Sequence, residues 1–306
     1  MPENEGQFIR VGIVDSLLSP QSDLDSLYSI NRRENYIASP VADTTGHGSD
    51  VLEILGYFAP KAEFNLFRVI TYTGEAKRSN LADAIADASR SGIDLLNLSV
   101  GIFHSHGENH CGGNCTVATE TRLAIEAGMA VVAATGNRKR DDTKAIHCPA
   151  LLDESISVGG FVSRCTADLL EQSESGQYWI ESTDLEGPFC GQRGCDSTKP
   201  CAEYRFEHPW RGNVSFHNAI PDVLAPVHYP ANSEEGPLLQ KGTSFATPIV
   251  TGLLASLLSD LFEIGIRPGP DTIRSAVHDG GDEIDEGEIP KFDAQSTWDL
   301  LEPTDE

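Results

Sequence analysis

The chain has 306 residues, 39% of them hydrophobic, with 47 acidic against 22 basic side chains and a formal net charge of −25. That length and apolar content suffice for one large packed domain, while the charge excludes nucleic acid and anionic membrane surfaces as partners, because both repel it. No apolar stretch reaches membrane-spanning length, so membrane insertion is not expected.

In chain order, the apolar run 9–15 reads as a buried strand that ends on the carboxylate of Asp15. A helix is expected over 47–57, opening on His47 in Thr45-Gly46-His47-Gly48-Ser49. A strand over 64–70, a helix over 80–91 and a strand over 94–99 follow. Residues 102–115 then form a polar loop with three His and two Cys before a helix over 116–127. The next strand, 129–134, runs into Thr135-Gly136-Asn137, and another is expected over 155–159. Residues 161–220 are rich in Gly, Ser, Pro and Cys and read as an insertion packed on the main domain. A strand over 222–225 and helices over 244–260 and 270–277 complete the pattern, and the acidic tail 279–306 shows little periodicity, with Phe292 and Trp298 as docking side chains. Strands that are apolar throughout and separated by helices imply a three-layer α/β/α domain with a mostly parallel central sheet. The whole chain, 1–306, is read as that single domain.

In such a sheet, functional side chains belong at the C-terminal ends of strands. Asp15, Ser99 and Asn137 each close a strand-like run. Ser244 lies in Gly242-Thr243-Ser244-Phe245-Ala246-Thr247-Pro248, at the start of an apolar helix. Unpaired N–H groups and the helix dipole favour a developing anion there. Pro248 is expected in the first turn, where its missing N–H costs nothing. A serine so placed is a candidate nucleophile if a base and an acid lie elsewhere. His47 and Asp15 supply them, in the chain order Asp, His, Ser that the subtilisin fold uses.

The segments Ile13-Val14-Asp15-Ser16, Gly46-His47-Gly48-Ser49, Asn97-Leu98-Ser99-Val100-Gly101, Ala133-Ala134-Thr135-Gly136-Asn137 and Gly242 to Pro248 resemble the subtilisin-like serine proteases of the subtilase family, over roughly 8–160 and 220–280. Leu17 stands where that family usually has Gly, Ser49 where it has Thr, and Thr135 where it has Ala. The resemblance implies a serine endopeptidase with Asp15, His47 and Ser244 as catalytic triad and Asn137 as oxyanion donor; read alone, Asn137 is a turn or capping residue. It implies that Ser99, Val100 and Gly101 form an edge on which peptide pairs as an added strand, and that Ala133, Ala134, Thr135 and Gly136 line one wall of the specificity pocket. It aligns His147 with a pocket-floor position that is commonly small. A His there favours an acidic or polar substrate side chain; the plainer alternative is a surface loop His.

Protein or peptide is the expected substrate. Two other roles stay open: a dedicated processing protease acting on one precursor or protein partner, and a non-catalytic peptide-binding module. No cofactor is required for catalysis. Structural calcium or zinc stays open, with His104, His106, His110, Cys111 and Cys115 as candidate ligands in one short loop. The seven cysteines leave disulfide, thiol and metal states open. Residues 1–10 lack the basic start and apolar core of a signal peptide, so a cytoplasmic setting is expected, the alternative being a mature secreted domain without its leader. Fourteen residues precede Asp15, which fits either a removed prodomain or an intracellular form. The charge suits a surface adapted to high salt, or an ordinary acidic protein with an acidic tail.

Overall fold

Strand β1 (Arg10–Asp15) alternates its apolar side chains between two cores: Val11 and Ile13 pack on one face, Val14 on the other. The computed structural model describes residues 4–20, 22–38, 45–102, 113–137, 146–163, 204–205, 221–233, 236–281 and 290–302. Helix α1 (Leu24–Leu27) leads into strand β2 (Ser29–Asn35). The same division recurs in β3 (Glu63–Arg68), where Phe64 and Leu66 oppose Phe67, in β4 (Leu95–Leu98), where Leu95 opposes Leu96 and Leu98, and in β5 (Ala130–Ala134), where Val132 opposes Val131 and Ala133. A strand apolar on both faces must be covered on both, and helices do this.

Among the described residues, seven strands run parallel in the order β2, β3, β1, β4, β5, β6 (Ile156–Ser163) and β8 (Val223–Pro226). Strand β7 (Tyr204–Arg205) joins β6 antiparallel. Helices α3 (Arg78–Arg90) and α4 (Thr116–Glu126) cover one face. Helices α2 (His47–Phe58), α5 (Thr243–Glu263), α6 (Pro270–Asp279) and α7 (Ala294–Leu301) cover the other. From β1 the chain goes to the edge strand β2, returns to β3 between them, and then crosses to β4, β5 and β6 on the other side. The C-terminal ends of β1 and β4 therefore flank the point where strand order reverses, where parallel sheets open a crevice.

Every predicted strand and helix is present, within a few residues at each end. Six described elements were not anticipated: α1, β2, β7, β9, β10 and α7. Strand β2 has the sequence Ser-Ile-Asn-Arg-Arg-Glu-Asn and sits at the sheet edge, so it carries almost no apolar signal. Strands β9 (His228–Ser233) and β10 (Gly236–Lys241) form a hairpin just ahead of α5, and each contains a proline, which argues against strand in a sequence reading. The short helix α1 has no periodicity to detect. The tail, read as aperiodic, holds α7: Asp293 accepts the Ser296 N–H at 2.7 Å as its N-cap, and Phe292 and Trp298 dock on the core as expected.

Helix α5 also corrects the expectation that no apolar stretch is long enough to span a membrane. Its 21 residues suffice by length and composition, but 83% of the qualifying stretch is buried inside the protein, which makes it the core helix. Most of the predicted insertion, 164–203 and 206–220, lies outside the described residues, as do 282–289 and 303–306 of the tail.

Candidate active site

Asp15 is the last residue of β1 and is 1% exposed. His47 is the first residue of α2, after Gly46 in the left-handed region. Asp15 Oδ1 and His47 Nδ1 lie 2.8 Å apart. A carboxylate oxygen can only accept, so Nδ1 carries the hydrogen and Nε2 is left as the basic nitrogen. The Ser16 N–H donates to the same Oδ1 at 2.7 Å. Two hydroxyls stitch the loop after β1 to the first turn of α2: Ser16 Oγ accepts the Gly48 N–H at 3.0 Å, and Ser49 Oγ accepts the Ser19 N–H at 2.7 Å. The Gly48 N–H is one that a helix start leaves unpaired, and the two bonds together hold His47 against Asp15.

Ser244 is the second residue of α5. The next residue, Phe245, sets its ring 5.4 Å from the His47 ring, so the first turns of α2 and α5 lie side by side. Asn137 follows β5 and faces the same turn. Its Oδ1 accepts the Thr243 N–H at 2.8 Å. A backbone N–H can only donate, so the amide orientation is fixed and Nδ2 is left as a donor. Gly242 shows where that donor points. Its φ is +154°, a conformation that side chains rarely adopt, and a Cβ built there would lie 3.0 Å from Asn137 Nδ2 and 3.3 Å from Ser244 Oγ. Both groups therefore face one small space beside Gly242.

Pro248 is not in the first turn, as the sequence suggested, but at the sixth position of α5. There its missing N–H would leave the Ser244 carbonyl without a helical partner. Ser99 supplies one: its Oγ donates to Ser244 O at 2.8 Å. Ser99 Oγ in turn accepts from Asn97 Nδ2 at 3.0 Å, and Thr251 Oγ1 donates to Asn97 Oδ1 at 3.0 Å. Asn97 and Thr251 are fully buried. This chain fixes the height and rotation of the first turn of α5 relative to β4. Ser99, predicted to serve substrate through its backbone, also holds the Ser244 segment through its side chain. Asn97, Thr243 and Thr251 were not singled out in the sequence. The i, i+4 spacing of Thr243, Thr247 and Thr251 on an otherwise apolar helix is the signal that was there to find.

Val100 and Gly101 continue from β4, while Ala133 and Ala134 end β5 and are buried with Thr135. Gly136 N–H donates to Thr243 Oγ1 at 3.2 Å. His147 lies between these two exits. A Cβ on Gly101 would fall 2.8 Å from His147 Cβ, so the close approach predicted for this glycine is made to the protein's own chain. Of the metal candidates, His104, His106, His110 and Cys111 lie outside the described residues. Cys115 caps α4, with its Sγ 3.5 Å from that of Cys148. Among the described residues, no group of three or more His, Cys, Asp or Glu side chains is placed to hold a metal ion.

The model of the subtilase family, Peptidase S8, matches residues 9–278. The chain belongs to the subtilase family. Subtilisin DY of Bacillus licheniformis is 27% identical over 165 residues, covering 51% of this chain and 57% of its own length, so the match spans little more than half of that relative. The fold resembles the protease domain of PatA with a TM-score of 0.69 at 19% identity, covering 98% of each chain. It also resembles the prenylagaramide maturation protease PagA, with a TM-score of 0.66 at 19% identity over 98% of this chain and 95% of that one.

Two departures from the usual subtilase pattern lie where the loop after Asp15 meets the first turn of α2. Leu17, where a subtilase usually has Gly, keeps the left-handed conformation with φ +70°, while its side chain packs against the core. A non-glycine residue there costs on the order of 1–2 kcal/mol of backbone strain. Ser49, in place of Thr, retains the hydroxyl that anchors Ser19.

Proposed function

We propose that the chain is a serine endopeptidase in which Ser244 is the nucleophile, His47 the proton shuttle, Asp15 the orienting carboxylate and Asn137 the oxyanion donor. Ser244 Oγ bonds to the substrate carbonyl carbon as its proton passes to His47 Nε2. The negative charge that develops on the carbonyl oxygen is met by Asn137 Nδ2 and by the N–H groups that open α5. Breakage of the C–N bond returns the His47 proton to the leaving amine. Water then hydrolyses the acyl ester by the same steps in reverse order. Asp15 keeps Nδ1 protonated and stabilises the imidazolium. The reading rests on one observation above all: the 2.8 Å Asp15–His47 bond stands at the start of α2, beside the helix turn where Ser244 Oγ and Asn137 Nδ2 share one space. An alkyl fluorophosphonate should label Ser244 of the folded protein, and Ser244→Ala should abolish labelling. Absence of labelling would overturn the reading in favour of a binding module.

A dedicated processing role, on a precursor peptide or one protein partner, is supported by the likeness to PagA over nearly the whole of both chains. Digestion of a proteome separates the two readings. A few defined cuts support a dedicated enzyme; scattered cleavage with weak preference supports a general one.

A further inference from the structure

Three segments meet beside Ser244. Ser99-Val100-Gly101 leaves β4, Thr135-Gly136-Asn137 leaves β5, and Ile146-His147-Cys148 crosses between them. The crossing is tied to both exits. His147 N–H donates to Thr135 O at 3.0 Å, while Ile102 and Cys148 exchange backbone bonds of 2.8 and 3.0 Å. The backbone at His147 is therefore fixed relative to both exits. A Cβ on Gly136 would lie 2.7 Å from Nδ1, Cε1 and Nε2 alike. Equal distance to three adjacent ring atoms means that the imidazole turns its face to Gly136. With Gly101 against its Cβ, the ring sits in a cradle made of two glycines, and any side chain at either position would expel it. Gly136 also has φ +98°, so glycine is required there by conformation as well.

The position matters because Gly136 directly precedes Asn137. A carbonyl carbon placed at Ser244 Oγ, with its oxygen toward Asn137 Nδ2, belongs to a residue whose side chain has the gap between the β4 and β5 exits beside it. Gly101 and Gly136 border that gap, each against His147. Among the residues of these three segments, His147 is the one that can become cationic. We propose that His147 is the specificity-determining side chain of the chain's peptidase reaction, and that it binds the carboxylate of a Glu or Asp contributing the acyl group. This assignment rests on the serine endopeptidase reading given above. The net charge of −25 repels acidic peptides at a distance, but screening confines that repulsion to about 8 Å at physiological salt, so the contact decides selectivity.

The test is kcat/KM on a peptide series that differs in the acyl residue alone: Glu, Gln, Ala, Leu and Lys. Glu should exceed Gln by about tenfold and Lys by about a hundredfold, the range of a charge-assisted hydrogen bond. In His147→Gln, which keeps size and a donor but cannot become cationic, the Glu-over-Gln preference should fall to near unity. In His147→Gly, the opened gap should raise Leu above Glu. Ala or Leu leading in the wild type would mean that the ring merely fills space and would overturn the assignment. An unchanged Glu-to-Gln ratio in His147→Gln would do the same. An alkyl fluorophosphonate has no such side chain and reads Ser244 alone. Labelling without a Glu preference rejects the His147 assignment and leaves the peptidase reading standing; absence of labelling rejects both.

Discussion

Helices α3 and α5 cover opposite faces of one sheet and are buried by different means. The covered side of α3 is Leu81, Ala82, Ala84, Ile85 and Ala88, while Arg78, Asp83 and Arg90 face solvent. Helix α5 is buried almost all round and carries five buried hydroxyl residues: Thr243, Thr247, Thr251, Ser256 and Ser259. Four of the five, all but Thr247, make bonds outside the helix at several heights. Thr251 reaches Asn97, Ser256 donates to Phe58 O and Ser259 to Gln7 O. Apolar burial is non-directional and tolerates small rotations. Hydrogen bonds are directional and do not. A helix that only covers the sheet needs the first; a helix that carries the proposed nucleophile needs both.

The largest test of this contrast is Ser244→Ala, which should lower kcat on the order of 10⁶-fold, a magnitude taken from subtilisin itself, while leaving the melting temperature nearly unchanged. Asn137→Ala should lower kcat by about 10²–10³-fold, again subtilisin's own figure for such a donor, and should also loosen the Thr243 turn. On the covering helix, Ile85→Ala should cost about 2–5 kcal/mol in urea unfolding with kcat/KM of the folded protein intact. A drop in kcat there would erase the distinction between the two helices.

Ser99→Ala should cost about 1 kcal/mol, because it leaves the half-buried Ser244 carbonyl without its partner. Pro248→Ala restores a helical N–H to that carbonyl, so the cost of Ser99→Ala should shrink by more than about 0.5 kcal/mol in the double variant. Strict additivity would show that Ser99 does not substitute for the missing N–H.

The smallest effect concerns how α3 is attached. The Tyr36 hydroxyl donates to Asp87 Oδ2 at 2.5 Å and holds that carboxyl below its ordinary pKa, while burial pushes the Tyr36 hydroxyl up. A lowered carboxyl pKa contributes stability above the unfolded value, near 4, and that stability is lost as pH falls through the lowered value. Asp87→Asn should therefore cost about a few tenths of a kcal/mol at pH 7, since Asp87 is partly exposed. Urea unfolding should show the gap closing toward pH 2; a constant gap would assign the loss to packing.

Strong apolar periodicity made the strands and helices of the sheet's interior readable, and local signatures located Asp15, His47, Asn137 and Ser244 on strand ends and helix starts. The polar edge strand β2 and the proline-bearing β9–β10 hairpin escaped because their stability comes from neighbours rather than from their own pattern. The place of Pro248 was misread for a related reason: a helix start one or two residues earlier changes which carbonyl loses its donor. Nothing in the linear chain announces that Ser99 replaces that donor.

By itself, then, the sequence determined the layered α/β fold, the order of the chemical groups and the family, because periodicity and turn chemistry are local. The bond between Asp15 and His47, the amide orientation of Asn137, the relay from Thr251 to the Ser244 carbonyl and the cradle around His147 were decided by tertiary structure alone. Each joins residues far apart in the chain, and only the packed sheet fixes their distance and angle.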